Sequence, residues 1–283
     1  MIPRQTRRLF MTGLRTLLGI RREMLFTPYR YAEQIIPPGS RTAYPAVTAA
    51  MRRSEDQFRE VLSGLEQFRE TFSGFSGAEP PEPRWEQDWF PRLDGAVAYA
   101  FVRWLQPDRI IEVGSGHSTR FLARAIRDGE LATRITSIDP APRADVKSLA
   151  EVDSCRMTIQ ECDGNRFDQL RSGDFLFIDS SHLLLPGSDV DLLLNRVFPA
   201  LPSGVVVHIH DMFLPDDYPG EWDWRGDNEQ LAVLPLIIGG GFETLWSSRY
   251  ATTRLLKDVR ASAVAGLPLP EGAFETSLWM KKR

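Results

Sequence analysis

The sequence contains little cysteine, with only Cys155 and Cys162 among its 283 residues. These two fall at either end of one predicted strand, too far apart for a disulfide if the strand is extended, so we expect a reducing, cytoplasmic compartment. No apolar run is long enough to span a bilayer, and we find no internal repeat. The net charge of −4 gives no reason to expect nucleic acid as a partner.

One segment is glycine-rich, the run from Arg109 to Thr119. An apolar strand ends on Glu112 and then breaks into a turn that contains Gly114 and Gly116. Such a turn lets a strand pass into a helix while its backbone lies close to a small cofactor. Taken alone, the turn is weak evidence, because a tight connection with no ligand is the alternative.

Further apolar strands follow, and each is followed by an acid. They are Ile135–Ile138 before Asp139, Met157–Glu161 before Asp163, Phe175–Ile178 before Asp179 and Val205–Val207 before Asp211. Helical patterns alternate with these strands. Near-continuous apolar strands are typical of a parallel sheet that helices cover on both faces. We therefore predict a doubly wound α/β domain whose acids lie at the carboxyl edge of the sheet, where ligands bind in such folds.

In their order, these motifs resemble those of class I S-adenosylmethionine-dependent methyltransferases. The stretch from Phe177 through His182 to His210-Asp211 is most similar to the small-molecule O-methyltransferase branch. The resemblance implies a Rossmann-like, mostly parallel sheet of seven strands with an antiparallel edge hairpin, plus an N-terminal helical extension. We assign residues 1–83 to that extension and a linker, and residues 84–283 to the methyltransferase domain.

S-adenosylmethionine is the cofactor that the resemblance implies. Gly114 and Gly116 would let the backbone approach its methionine part, and Glu112 would hold either the turn or the ammonium group. Asp139 would accept from the ribose hydroxyls and Asp163 from the adenine amino group, although a turn or capping role is the alternative for both. The full predicted set is Glu112, Gly114, Ser115, Gly116, Ser118, Asp139, Asp163, Gly164 (which leaves room for the ring) and Asp179.

Three of the four histidines lie at two adjacent strand ends, at positions 182, 208 and 210. Methyl transfer requires that a nucleophilic oxygen or nitrogen be oriented and, for a hydroxyl, that its proton be removed. We predict His182 as the general base and Asp211 as a second catalytic residue. A structural role remains the alternative for His182, and it is the preferred one for His208.

A divalent metal is a second prediction, with Asp179, His210 and Asp211 as its ligands. Metal-dependent O-methyltransferases bind a cation with acids from these two strand ends, and the cation lowers the pKa of the substrate oxygen. The match is incomplete, because Met212 follows Asp211 where that group has another acid or an asparagine; His210 would replace it. The same three residues could serve a hydroxylase or oxygenase on this fold, which is the competing enzyme class.

The segments outside these strands suggest partners. Tyr218, Trp222 and Glu229 are candidate contacts for a small-molecule acceptor. Residues 1–30 hold seven arginines and one acid, with leucines at helical spacing. This basic amphipathic helix would preferably pack on a second subunit, giving a homo-oligomer; alternatively it would rest on an anionic membrane surface. The second case would also suit a non-enzymatic, nucleotide-binding scaffold at membranes.

Overall fold

The structure, a computed structural model, describes residues 4–21, 23, 28–77 and 79–283. Its strands are β1 (Arg109–Val113), β2 (Arg134–Ile138), β3 (Val152–Cys155), β4 (Phe175–Ile178), β5 (Val206–Ile209), β6 (Phe242–Ser247) and β7 (Leu278–Lys282). Its α-helices are α1 (Arg4–Leu17), α2 (Pro45–Arg52), α3 (Glu55–Gly64), α4 (Arg69–Ser73), α5 (Arg92–Leu105), α6 (His117–Asp128), α7 (Asp189–Leu192), α8 (Phe198–Ala200), α9 (Glu229–Ile238), α10 (Ser248–Arg254) and α11 (Leu256–Ala261). None of the helices in this described part is both long and apolar enough to cross a bilayer.

The seven strands form one sheet in the order β3-β2-β1-β4-β5-β7-β6. Strands β1 to β5 run parallel, and β7 is antiparallel to both β5 and β6. The predicted α/β class and its antiparallel edge are thus confirmed. The strand order reverses between β1 and β4, and in open sheets of this kind the crevice at that point holds the ligand.

The middle of the sheet is buried on both faces. Every residue of β4 and β5 is buried, as are the last four residues of β1. Helices α5 and α6 pack together beside β1, and Gly95 of α5 leaves room for the ring of Phe121, which would lie only 2.8 Å from an added Cβ. The continuous apolar runs in the sequence reflect this burial.

The third strand does not lie where the sequence predicts it. The expected run Met157–Glu161 contains a 3-10 helix over Ile159–Glu161, and the strand is Val152–Cys155. Strand β3 is the edge of the sheet, and none of its four residues is fully buried. The prediction was wrong because an edge strand needs no apolar run.

The chain divides into two compact units. One consists of residues 43–216 and 228–283 and contains the whole sheet. Residues 43–83, which the sequence assigns to an extension, pack within this unit: the ring of Phe58 in α3 lies 5.6 Å from that of Trp246 in β6. The other unit joins the described residues of 1–42 to 217–227, where Arg41 and the backbone N–H of Gly39 bind the Asp217 carboxylate.

Candidate active site

A cleft of about 440 Å³ lies at the carboxyl ends of β1, β2 and β4, next to the reversal of strand order. This volume is within the range of small-molecule and cofactor sites. Its lining includes six of the nine residues predicted to bind the cofactor, namely Gly114, Ser115, Gly116, Ser118, Asp139 and Asp179.

Gly114 lies at the base of this cleft, where the ends of β1 and β4 approach each other. Its φ is +80°, and an added Cβ would lie 1.8 Å from the carbonyl oxygen of Asp179. Glycine is therefore required here by the close approach of the β4 end, in addition to any cofactor. At Gly116 the nearest atom to an added Cβ is Cβ of Arg143, at 3.9 Å.

Glu112 lies beneath the turn and does not line the cleft. Its side chain has no exposed surface, and it accepts hydrogen bonds from Ser118 Oγ at 2.9 Å and Thr119 Oγ1 at 2.7 Å. Burial raises the pKa of Glu112 to about 8. Of its two predicted roles, the geometry matches the one in which it ties the strand end to the start of α6.

Asp139 both lines the cleft and fixes the turn. Its Oδ2 accepts from the backbone N–H of Ser115 at 2.7 Å and from Ser115 Oγ at 3.2 Å, while Oδ1 accepts from the N–H of Ala141 at 2.7 Å. A carboxylate offers about four acceptor sites. Acceptor capacity therefore remains for hydroxyl groups in the cleft.

Asp163 and Gly164 do not line this cleft. Asp163 Oδ1 accepts from the backbone N–H of Asn165 at 3.1 Å and caps a short 3-10 helix, which is the capping role. Because β3 ends at Cys155, residues 158–160 reach the cleft instead. The expected adenine contact at Asp163 therefore stays a prediction, and Gly164 lies in a neighbouring cavity of about 430 Å³.

The sequence analysis missed two further residues of the cleft wall. The guanidinium of Arg143 lies 4.4 Å from the ring centroid of Trp89, and both side chains line the cleft. Neither position carries a sequence signal, since both lie in irregular segments before α5 and after β2.

A buried group of ionisable side chains lies at the ends of β4 and β5, beside the cleft. His182 Nδ1 lies 3.0 Å from Glu229 Oε2, and His182 Nε2 lies 3.4 Å from Asp179 Oδ1 and 3.5 Å from Asp211 Oδ2. Glu229 has no exposed surface, so the prediction that it contacts substrate is wrong. It orients His182 from behind.

His210 joins the same group from the end of β5. Its Nδ1 lies 3.4 Å from Asp211 Oδ1 and 3.6 Å from Asp179 Oδ1, and its Nε2 lies 3.4 Å from Asp94 Oδ2 in α5. We call Asp94, Asp179, His182, His210, Asp211 and Glu229 the acid–histidine cluster. It contains four carboxyl groups and two imidazoles, so it carries an excess of acid.

Both imidazoles of the cluster bind protons more tightly than free histidine. Burial alone would lower the pKa of His182, but hydrogen bonds to Asp179 and Glu229 and the charge of Asp211 outweigh burial and hold that pKa well above its usual value. For His210, burial is likewise outweighed, chiefly by the charges of Asp211 and Asp179, and its pKa rises to about 10. Both rings therefore keep a proton to higher pH than a free histidine does.

Two members of the cluster have strained backbones. His182 has φ of +59° and Asp211 has φ of +55°, in a region that side chains rarely adopt. The carbonyl of His182 accepts from the backbone N–H groups of Asn228 and Glu229, at 3.0 and 3.2 Å, which holds the residue in place. Such strain persists where the surroundings over-determine it, and it concentrates at functional sites.

The three predicted metal ligands, Asp179, His210 and Asp211, do meet in this cluster. Within the residues that the structure describes, however, no group of three histidine, cysteine, aspartate or glutamate side chains is arranged to hold a metal ion. The residues as placed do not fit the predicted metal site, and we assign no step to a metal.

The two other histidines differ from this pair. His208 in β5 is fully buried, stacks on Phe177 with ring centroids 3.7 Å apart and lies 2.9 Å from Ser277 Oγ, as expected for a structural residue. His117 lines the cleft. Burial and the charges of Arg120 and Arg84 lower its pKa to about 4, so it is neutral.

The predicted acceptor contacts Tyr218 and Trp222 belong to the second compact unit. Tyr218 is buried, and the guanidinium of Arg225 lies 3.9 Å from the Trp222 ring centroid. Their contact with a substrate stays a prediction.

Part of the sheet-containing unit matches a known protein family. Residues 111–212 match the family model of a methyltransferase domain. No curated protein matches this chain. Among solved structures, the chain is similar to the SAH-bound methyltransferase PaMTH1 of Podospora anserina, with 15% identity over 92% of this chain and 99% of that one and a TM-score of 0.43. It is also similar to the plantazolicin methyltransferase BpumL, bound to SAH and a monoazolic desmethylPZN analog, with 12% identity, 83% and 99% coverage and a TM-score of 0.44.

The parallel sheet, its glycine turn after β1 and the carboxylate after β2 are features with which open α/β sheets bind nucleotide-like cofactors. The match to a methyltransferase domain extends from β1 to the residues just after β5.

Proposed function

We propose that this chain is a class I S-adenosylmethionine-dependent methyltransferase that acts on a hydroxyl group of a small molecule. One observation carries the proposal: Asp179 belongs both to the cofactor cleft and to the acid–histidine cluster, so a proton acceptor lies beside the place where the methyl group is delivered. An amine or thiol acceptor is less demanding, because it can present a lone pair without such a base.

The cleft offers distinct surfaces to the parts of the cofactor. In this proposal the backbone of Ser115 and Gly116 faces the methionine part, Asp139 accepts from the ribose hydroxyls, and residues 158–160 lie beside the adenine. The excess of acid in the cluster favours a cation, and the cofactor carries one at its sulfonium. The turn is already fixed by Asp139 and Glu112, so little ordering remains to be done on binding.

Bound S-adenosylmethionine supplies an electrophilic methyl group. The side chains of Asp179 and Asp211 are 23% and 11% exposed, whereas that of His182 is 4% exposed. A hydroxyl in the cleft therefore reaches a carboxylate oxygen first, and we assign its hydrogen bond to Asp179, which lines the cleft, with Asp211 beside His182 behind it. S-adenosylmethionine would give up its methyl group from sulfur and leave as S-adenosylhomocysteine. The hydroxyl proton passes to the cluster, where deprotonated His182 is the stronger base, and Glu229 then balances the imidazolium.

Product analysis tests the proposal directly. The protein is incubated with S-adenosylmethionine and matched acceptors that carry a phenol, an alcohol or an amine on the same scaffold, and the site of methylation is read by mass spectrometry. We expect methylation at oxygen, and faster turnover at higher pH. Methylation confined to the amines would contradict the assignment of the cluster as a proton acceptor.

Cofactor affinity should depend on Asp139 and not on Asp163. We expect Asp139→Asn to weaken binding by about 1–3 kcal/mol, through loss of charge-assisted hydrogen bonds. Asp163→Asn is the matched control, since Asp163 caps its own helix outside the cleft. Isothermal titration calorimetry measures the cofactor affinity of both variants. Equal affinities would mean that Asp139 does not contact the cofactor.

The pH dependence of turnover should reveal the effect of Glu229 on the pKa of His182. Its charge helps to raise the pKa of His182, and His182 accepts a proton only when deprotonated. We therefore expect kcat/KM of the wild type to rise with pH to above the usual histidine range, and the rising limb of Glu229→Gln to move to lower pH. Glu243→Gln, on β6 away from the cluster, is the control. If the rising part of the kcat/KM profile stays at the same pH in Glu229→Gln, Glu229 has no role in catalysis through His182.

Chelation tests the metal prediction. The excess of acid in the cluster is the one observation that favours a divalent cation there, while the arrangement of the described side chains does not match a metal site. We expect turnover to survive exhaustive dialysis against EDTA. A loss of activity that one divalent ion restores would instead assign Asp179, His210 and Asp211 as its ligands.

A further inference from the structure

The second compact unit carries an unusual concentration of exposed apolar surface. Of 17 large apolar side chains exposed in the described part of the chain, 10 lie within residues 1–42. Six belong to α1 and the turn after it, and we call them the N-terminal apolar face: Phe10, Met11, Leu14, Leu17, Leu18 and Ile20. Phe10 and Leu17 are 67% and 72% exposed. Contiguous exposed apolar surface of this kind marks a docking site.

The charge of this region is opposite to that of the rest of the chain. Residues 1–42 contain eight arginines and two glutamates and no lysine or aspartate, a net charge of +6. Since the whole chain carries −4, residues 43–283 carry −10. Arg8 and Arg15 lie seven residues apart on α1, and so share a side of the helix that borders the apolar face. The occupant of the face is therefore expected to be both apolar and anionic.

We infer that α1 lies on the surface of a bilayer that contains anionic lipid, with the N-terminal apolar face at the boundary between headgroups and acyl chains. The position of Arg7 decides between this occupant and a second copy of the chain. Arg7 lies four residues before Met11 and seven before Leu14, so it shares their side of the helix.

In a symmetric dimer the same patch meets itself, which would bring the arginines of two copies together in an apolar contact. At a lipid surface the guanidinium of Arg7 reaches outward to a phosphate while its stem stays apolar. Two exposed tyrosines, Tyr29 and Tyr31, lie on either side of Arg30 in the sequence. Tyrosine is also typical of membrane interfaces.

Vesicle flotation of the full chain tests this inference. Vesicles of phosphatidylcholine alone are compared with vesicles that also contain phosphatidylserine, at about 0.1 M and about 1 M salt, where the screening length falls from about 10 to about 3 Å. We expect binding to the anionic vesicles at low salt, and weak binding in the other conditions. Equal binding to both vesicle types, or to neither, would overturn the inference.

Two double variants separate the two parts of the interaction. Phe10→Ser with Leu17→Ser should lower the partition coefficient at least about tenfold, and Arg8→Gln with Arg15→Gln by roughly 10- to 30-fold. Leu231→Ser with Leu256→Ser removes exposed leucines elsewhere and is the control. Binding that is unchanged in Phe10→Ser with Leu17→Ser would overturn the inference. Light scattering without lipid gives a second check. A wild-type chain that is a dimer, together with a Phe10→Ser with Leu17→Ser variant that is a monomer, would also overturn the inference.

Discussion

Replacing His182 by alanine is expected to lower kcat by about 10²- to 10⁴-fold while cofactor affinity stays near that of the wild type. In the proposed reaction the ring accepts the proton that the acceptor hydroxyl loses, and His182 does not line the cleft. Without the ring the proton can pass only to carboxylates. Burial would raise the pKa of Asp179, but the neighbouring His210 and His182 outweigh burial and hold that pKa well below its usual value, so Asp179 is a weak base. Initial rates and calorimetry on one protein preparation separate the two effects.

The same substitution leaves Glu229 buried without its partner, which could reduce activity simply by unfolding the site. The double variant His182→Ala with Glu229→Gln removes that charge and is the appropriate comparison. If the double variant melts like the wild type and binds the cofactor but still turns over slowly, the loss is chemical. A rate near that of the wild type in the folded double variant would reduce His182 to a structural residue.

Replacing Gly114 by alanine is expected to destabilise the fold by about 3 kcal/mol or more. The new methyl group would lie 1.8 Å from the carbonyl oxygen of Asp179, and the backbone there has φ of +80°. Overpacking and positive φ each cost roughly 1–3 kcal/mol. Chemical denaturation measures the change in the free energy of unfolding.

Gly266→Ala is the matched control for this variant. Gly266 has no positive φ and nothing within 4 Å of an added Cβ, so its change should stay within about 0.5 kcal/mol. An alanine at position 114 that folds with wild-type stability would mean that β1 and β4 do not approach as described.

The sequence is sufficient to predict the buried centre of the sheet. Strand β4 is observed at the predicted bounds, because each of its four residues is buried and is apolar for that reason. Its acid, Asp179, follows at the strand end and reaches the cleft as predicted. The turn at Gly114 is also predicted, because glycines that directly follow an apolar strand are a local pattern in the sequence.

The contacts that the sequence could not predict are formed between distant segments. Glu229 lies 47 residues beyond His182, and nothing in the local pattern of α9 distinguishes an orienting carboxylate from a substrate contact. The role of Asp163 was difficult to predict for a different reason. Its role depended on where β3 ends, and a half-exposed edge strand has too little apolar character to mark its own end.

A crystal structure of the chain with S-adenosylhomocysteine tests the central claim most directly. We predict that the nucleoside occupies the cleft beside Gly116, that both ribose hydroxyls donate to Asp139, and that the sulfur faces the side of the cleft formed by Asp179. A ligand bound elsewhere, or a ribose with no contact to Asp139, would contradict this account.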